Sequence, residues 1–331
     1  MTLKYKTILI TGGTGSFGKE FVKKILKNYK KINKLIIFSR DEWKQNEMSK
    51  EISQTKFPCI RYFLGDVRDY DRVKRAFKGV DLVIHAAALK QVPAAEYNPI
   101  EFIKTNIFGA QNIIEAAIEQ NVKKVIALST DKAAAPINLY GATKLCSDKL
   151  FIAANNYSGK SIFSVCRYGN VMGTRGSVIP LFLEQAKNGF VTLTDKNMTR
   201  FNITLEESVN LVIYAINNSM GKEIFVPKIP SYKLTDLAKA IDGKVKFKTI
   251  GIRPGEKIHE EMITADDSMN TIENQKYYLI LPFLEKNELK KYIRNFKAKK
   301  IGNFFSYNSR DNKEFLTIAQ LRKLIANNIP K

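Results

Sequence analysis

Short apolar runs with almost no polar interruption recur through the first half of the chain, separated by longer stretches in which apolar residues return at helical spacing. The runs are Thr7-Ile-Leu-Ile-Thr11, Leu35-Ile-Ile-Phe38, Ile60 to Leu64, Leu82-Val-Ile84, Lys124-Val-Ile-Ala-Leu128 and Ile162 to Cys166. Their brevity and β-branched content predict strands, and their lack of period-two alternation predicts strands buried on both faces. Strands alternating with helices predict βαβ units, hence an α/β fold built on a doubly wound parallel sheet. From about Val171 onward the rhythm loosens, and Gly173, Gly176, Pro180, Pro227, Pro230 and Pro254 punctuate shorter elements. A smaller, interleaved α/β domain is expected there, with no clean cut between the two.

Composition fits a globular protein: 331 residues, 44% hydrophobic and 26% charged, supply ample material for a core. The start lacks the apolar stretch and small-residue cleavage site of a signal peptide, and no segment approaches the ~18 apolar residues of a membrane span. A soluble, cytoplasmic protein is expected. Cys59, Cys146 and Cys166 form no C-x-x-C pair, and His85 and His259 sit in no ligand-like cluster, so neither a disulfide framework nor a metal site is expected. The net charge of +22 is mostly lysine, and its densest runs, Lys27 to Lys34 and Lys297 to Lys300, lack the aromatic and glycine pattern of RNA-binding modules. Phosphate-rich small molecules account for part of the bias better than nucleic acid does.

Thr11-Gly-Gly-Thr-Gly-Ser-Phe-Gly18 follows the first strand and opens a helix expected to end near Tyr29, the context a dinucleotide loop requires. Gly12 permits the tight turn, Gly15 lets a pyrophosphate approach the backbone, and Gly18 allows close helix packing, while Thr14, Ser16 and Phe17 complete the loop. The helix N-terminus offers N–H groups and a favourable dipole. This makes the sheet Rossmann-like. The second strand ends in Ser39-Arg40-Asp41 with Lys44 beyond: Ser39, Arg40 and Lys44 suggest a cradle for the 2′-phosphate of NADP, although Asp41 leaves NAD open. Asp66 and Val67, after the third strand, are placed for the adenine, and Ala86 opens a small-residue run where cofactor and backbone pass closely. His85 reads as a packed strand residue.

The strand ending at Leu128 leads into Ser129-Thr130-Asp131-Lys132, and eight residues later comes Tyr140-Gly-Ala-Thr-Lys144 at the start of a helical stretch. Tyr140 and Lys144, at i and i+4, share a helix face. An ammonium stabilises phenolate, so Lys144 is expected to lower the Tyr140 pKa toward that of a general base, with Thr130 donating to the same substrate oxygen. Tyr and Lys at this spacing also occur by chance; the preceding threonine and the glycine loop are what give them weight.

With these motifs the chain resembles the extended short-chain dehydrogenase/reductases, and Thr130-Asp-Lys-Ala-Ala-Ala-Pro-Ile-Asn-Leu-Tyr-Gly-Ala-Thr-Lys144 resembles the inverting UDP-N-acetylglucosamine 4,6-dehydratases. The likeness spans about residues 6 to 262, with Ala88-Leu-Lys-Gln-Val-Pro93, Ala95-Glu-Tyr-Asn-Pro99, Arg167-Tyr-Gly-Asn170, Arg175-Gly-Ser-Val178, Met198-Thr-Arg-Phe201 and Gly251-Ile-Arg-Pro-Gly-Glu-Lys257 as further matches. It departs from the family pattern at Gln91, Ala135 and Asn202, which bear on substrate preference. The resemblance implies that Lys90, Asn170, Val178, Thr194, Arg253 and Glu256 surround the nucleotide sugar and that Val171 to Arg175 line the nicotinamide side. It assigns Lys132 as the base at C5 and Asp131 as the acid for the 6-hydroxyl. Lysine is a base only when neutral, and nearby Lys144 together with oxidised nicotinamide is expected to depress the Lys132 pKa. Residues 1–168 are then expected to form the NADP-binding part, with later segments returning to it, and 169–331 mainly the sugar-binding part. A homo-oligomer, hexameric in the family, and a place in pseudaminic acid synthesis are also implied.

Three other readings compete. A 4-epimerase needs Thr130, Tyr140, Lys144 and NAD but no acid and base for elimination, so Asp131 and Lys132 tell against it. Retaining dehydratases commonly carry methionine where Tyr140 stands, and many have membrane segments. A dinucleotide-sensing binding protein has little reason to keep Thr130, Tyr140 and Lys144 together.

Overall fold

The computed structural model describes residues 4–174, 177–302 and 304–329. All six expected runs are strands: β1 Thr7–Thr11, β2 Lys34–Ser39, β3 Ile60–Leu64, β4 Leu82–His85, β5 Lys124–Leu128 and β6 Ile162–Cys166. They lie parallel in the order β3-β2-β1-β4-β5-β6, and Ile224–Pro227 continues the parallel sheet beyond β6. Ile8 faces Leu35 on one side and Leu82 on the other. Ile8, Leu9, Ile10, Leu35, Ile37, Val83 and Ile84 are wholly inaccessible. With helices on both faces of the sheet, neither set of side chains meets water, which is why the runs are unbroken. Each such aliphatic side chain contributes about 1.5–3 kcal/mol by burial.

Strands from far along the chain return to this sheet. Tyr277–Ile280 pairs antiparallel with Ile224–Pro227, Thr271–Glu273 follows it, and Lys299–Lys300 forms the edge. Residues after β6 also build a second core around Met172, Phe182, Leu193, Leu237 and Leu321. It is associated with a three-stranded sheet of Asn170–Val171, Thr199–Ile203 and Ser231–Lys233, and with the parallel pair Phe190–Leu193 and Lys246–Thr249. The last helix, Ile318–Asn328, starts at a capping box of Thr317 and Gln320 and buries Leu321 there. No helix among the described residues is long and apolar enough to cross a membrane.

Strand order decides where a ligand can lie. β1 has β2 on one side and β4 on the other, so successive crossovers leave in opposite directions and open a crevice at the carboxyl ends of β1 and β4. The loops after β1, β4 and β5 meet there.

Candidate active site

At Gly12 the chain leaves β1 with φ +64, and a Cβ there would stand 2.9 Å from the Ala87 amide nitrogen. The left-handed turn and the close passage of the segment after β4 therefore both require glycine. Gly18, inside the helix α1 Ser16–Asn28, packs so tightly that a Cβ would run into the Gly13 backbone. Gly15 is different, because its Cβ would meet only the Gly12 carbonyl oxygen, at 3.2 Å. Internal packing demands glycine less there than at Gly12 or Gly18, because a single carbonyl oxygen would have to give way; a ligand passing over the backbone adds its own demand. Gly15 also N-caps α1 with no side-chain cap, and the first turn holds no acidic residue. An uncapped helix start with open backbone fits a dinucleotide pyrophosphate.

Hydroxyls tie this loop to its neighbours. Thr14 Oγ1 lies 2.9 Å from Ser39 Oγ at the end of β2. Thr11 Oγ1 accepts from the Ala86 and Ala87 N–H groups at 3.2 Å and lies 2.9 Å from His85 Nδ1. Burial, aided by the Lys144 ammonium, pushes the His85 pKa down to about 3, so His85 is a neutral packed residue, as its strand position suggested. At the end of β2, Asp41 caps the helix Glu42–Glu51 by accepting from the Lys44 N–H at 2.9 Å and pairs with Lys44 Nζ at 2.8 Å. Arg40 reaches Asp66 at 3.8 Å, and Arg68 holds the same carboxylate oxygen at 2.7 Å. Two carboxylates thus stand among the cations of the expected cradle. Val67 is buried, and its carbonyl accepts from Asn112 at 2.9 Å.

The helix that carries Tyr140 and Lys144, Leu139–Ala154, is fixed from several directions. Asn138 caps it by accepting from the Gly141 N–H at 2.8 Å and donates its own amide to the Gly255 carbonyl at 2.7 Å. Ser129 Oγ donates to Asp148 Oδ2 at 2.7 Å, and the Arg167 guanidinium lies 3.2 Å from the same oxygen. This buried trio joins the ends of β5 and β6 to the helix. Asn106, inside the π-helical stretch Ile103–Phe108, donates to Thr143 Oγ1 at 3.0 Å and exchanges hydrogen bonds of 2.9 Å with the Leu89 backbone. π-bulges of this kind recur at functional sites.

Tyr140 and Lys144 are both buried on this helix. Burial pushes the Tyr140 phenol up to about 12, against the lowering pull of the Lys132 ammonium and the Thr130 hydroxyl. The expectation that Lys144 acidifies Tyr140 needs correction: Lys132 is the cation that acts on it most. Burial disfavours the charge of Lys144 itself, and Asp148 partly restores it.

Thr130, Asp131 and Lys132 form a tight cluster on a single 3-10 turn, Asp131–Ala133. Thr130 Oγ1 donates to Asp131 Oδ1 at 3.0 Å, and Lys132 Nζ donates to the same oxygen at 3.1 Å. Asp131 is 1% exposed, and its other oxygen makes no hydrogen bond. Burial raises its carboxyl pKa, and Lys132 offsets this only in part. Lys132 Nζ also lies 3.0 Å from Glu260 Oε1. A depressed Lys132 pKa is therefore not what the site produces. Burial does oppose the ammonium, but the Asp131 and Glu260 carboxylates outweigh it and hold the lysine cationic well above its usual range.

Of the expected sugar-binding residues, three gather at this turn. Lys90 is close enough that the Lys132 charge, after burial, lowers its pKa. Asn170 follows Gly169, where a Cβ would come within 3.4 Å of Asp131 Oδ2, and its own side-chain oxygen is buried without a hydrogen bond. Glu256 stands 3.8 Å from Arg200, likewise with an unpartnered oxygen, and the next residue, Lys257, donates to the Ala134 carbonyl at 2.7 Å. The segment from Gly251 to Lys257 is thereby folded onto the Asp131–Ala133 turn. Val178, Thr194 and the exposed Arg253 have no side-chain hydrogen bond or ion pair to that turn among the described residues. Val171 pairs with Ile203, and Arg175 lies outside the described residues. Glu260, Arg200, Asn106, Asp148 and Arg167 are additions from the structure.

A glycine loop at the switch point of a Rossmann-like sheet, with Thr130, Tyr140 and Lys144 beside it, defines an enzyme of the extended short-chain dehydrogenase/reductase class. The chain belongs to the family described as "Polysaccharide biosynthesis protein", matched over residues 8–282. It is 54% identical over 328 residues, 97% of each chain, to the "UDP-N-acetylglucosamine 4,6-dehydratase (inverting)" of Campylobacter jejuni subsp. jejuni serotype O:2. It is also 44% identical over 332 residues, 97% of this chain and 96% of the other, to the "UDP-glucose 4-epimerase" of Rickettsia bellii. The solved structure of Pen from Bacillus thuringiensis matches 99% of both chains with a TM-score of 0.87 at 39% identity. The resemblance drawn from the motifs is borne out.

Proposed function

We propose that the chain removes water from UDP-N-acetylglucosamine across C5 and C6 with inversion at C5, giving UDP-2-acetamido-2,6-dideoxy-β-L-arabino-hexos-4-ulose, with NADP as a recycled cofactor. The observation that carries the proposal is the Lys132 to Asp131 contact of 3.1 Å beside Tyr140, an acid and base pair additional to the oxidation machinery. When bound, NADP supplies the acceptor for the C4 hydride and returns that hydride to C6. Tyr140 acts as the phenolate, which the Lys132 ammonium favours against burial, and takes the 4-hydroxyl proton, with Thr130 donating to the same oxygen. The C4 ketone acidifies the C5 proton.

Elimination requires neutral lysine and protonated aspartate, the tautomer reached when one shared proton moves from Lys132 Nζ to Asp131 Oδ1. Burial of Asp131, which raises its carboxyl pKa, favours that tautomer. Lys132 takes the C5 proton and Asp131 gives its proton to the departing 6-hydroxyl. Lys132 then holds the proton taken from C5, and Asp131, its own proton gone with the water, is again a carboxylate, so the pair is restored to its resting state. Protonation of C5 from the face opposite Lys132 gives the inverted sugar, and the proton lodged on Tyr140 balances it.

Gly12, Gly15 and Gly18 would carry the pyrophosphate. Arg40, whose side chain is 52% exposed and which reaches Asp66 only at 3.8 Å, supports 2′-phosphate recognition and hence NADP. Lys90, Asn170 and Glu256 would surround the sugar, with Val178, Thr194 and Arg253 toward the nucleotide. Exposed Tyr97, Ile100 and Phe108 support a homo-oligomer. The Rickettsia bellii relative favours a second reading, a UDP-sugar 4-epimerase. Product analysis with UDP-N-acetylglucosamine separates the two: a 4-keto-6-deoxy sugar supports dehydration, and the galacto epimer alone overturns it.

A further inference from the structure

Glu260 is 2% exposed, yet its carboxylate lies in the cluster of charges around Lys132. Its backbone is clamped on both sides: the Glu260 N–H donates to Ser309 Oγ at 2.9 Å, and the Ser309 N–H donates to the Glu260 carbonyl at 2.8 Å. Arg200 secures the approach by donating to the carbonyls of Lys257 and Ile258, each at 2.9 Å. Burying a carboxylate costs several kcal/mol unless it is closely paired. Glu260 Oε1 lies 3.7 Å from Arg200 but only 3.0 Å from Lys132, although Lys132 already has Asp131 as a counter-ion. Its other oxygen is buried without a hydrogen bond. Neutralising Arg200 would not require this reach toward Lys132.

We infer that Glu260 is a positioning residue for Lys132: its carboxylate and that of Asp131 bracket the ammonium, hold Nζ beside the acid, and govern when that nitrogen is free to accept a proton. The role assigned to Lys132 rests on the dehydratase reading; the control exerted by Glu260 is a property of the protein alone. Other charged or titratable groups facing the cluster are Arg200, Lys257, Lys90, Tyr140 and Tyr232. Arg200 opposes the Lys132 charge and supports that of Glu260, so the two carboxylates are what hold the proton on the lysine. Removing one carboxylate charge should release it more readily.

The test is brief acetylation of the full chain with acetic anhydride, which reacts with neutral amines, between about pH 6 and 11, with Lys132 followed by peptide mass spectrometry. In Glu260→Gln, Lys132 should be modified about tenfold faster at a fixed pH below its midpoint, equivalent to a pKa about one unit lower. Glu260→Asp, which keeps the charge but draws it back, should show a smaller shift in the same direction. Lys144 labelling should not change, which separates loss of charge from general loosening. Unchanged Lys132 labelling in both variants, or labelling that rises equally at Lys144, would overturn the inference. Because acetylation needs no substrate, it decides the role of Glu260 even if the wild-type product is an epimer, a result that would sink the dehydratase reading alone.

Discussion

Lys132 donates from Nζ to one oxygen of Asp131 at 3.1 Å, while the other oxygen of Asp131 is buried without a hydrogen bond. The oxygen shared with Lys132 is where the proton for the leaving group is held. Asp131→Asn preserves shape but cannot release a proton, so formation of the 4-keto-6-deoxy sugar should fall about 10²- to 10⁴-fold, the usual scale for a lost general acid. Oxidation at C4 needs Tyr140 rather than Asp131. Hydride transfer to NADP should therefore persist in the variant, and the absorbance of the reduced dinucleotide checks this.

The loop glycines should separate by role. Gly18→Ala forces a methyl group into the Gly13 backbone and should lower thermal stability markedly even without ligand. Gly15→Ala meets only the Gly12 carbonyl oxygen at 3.2 Å, so its melting temperature should stay close to wild type while NADP affinity drops tenfold or more. Thermal unfolding paired with fluorescence titration reads both.

Cofactor preference turns on the end of β2. Arg40→Ala should weaken NADP binding about tenfold, or ~1.4 kcal/mol, and leave NAD nearly unchanged. Asp41 and Asp66 among these cations make NAD the competitor to measure, by titrating both dinucleotides into both proteins.

What the sequence made legible was local. β1 to β6 announce themselves because strands in such a sheet are mostly apolar, even β3 at the edge with its exposed Arg61, and Thr130 through Lys144 are readable because one turn and one helix carry them. The Gly251 to Lys257 motif was visible, but nothing in its spacing says that it folds over the catalytic turn. Glu260 is one carboxylate among many on paper; it becomes a partner of Lys132 only through the Ser309 clamp and Arg200, contacts between distant parts of the chain. Its position just past that motif was the one available hint. The mistaken expectation for the Lys132 pKa has the same origin, since Lys144 was in view and Glu260 was not. Thr271–Glu273 and Tyr277–Ile280 are only three and four residues long, too short for a pattern to declare them part of the central sheet.

The fate of C5 separates inverting dehydration from the other chemistries. Purified protein incubated with UDP-N-acetylglucosamine in heavy water, with the product followed by NMR, should give a 4-keto-6-deoxy sugar of L-arabino configuration carrying one deuterium at C5. Lys132→Ala should form no such product while binding NADP normally. A product with unlabelled C5, retained configuration, or simple inversion at C4 would contradict the roles given to Lys132 and Asp131.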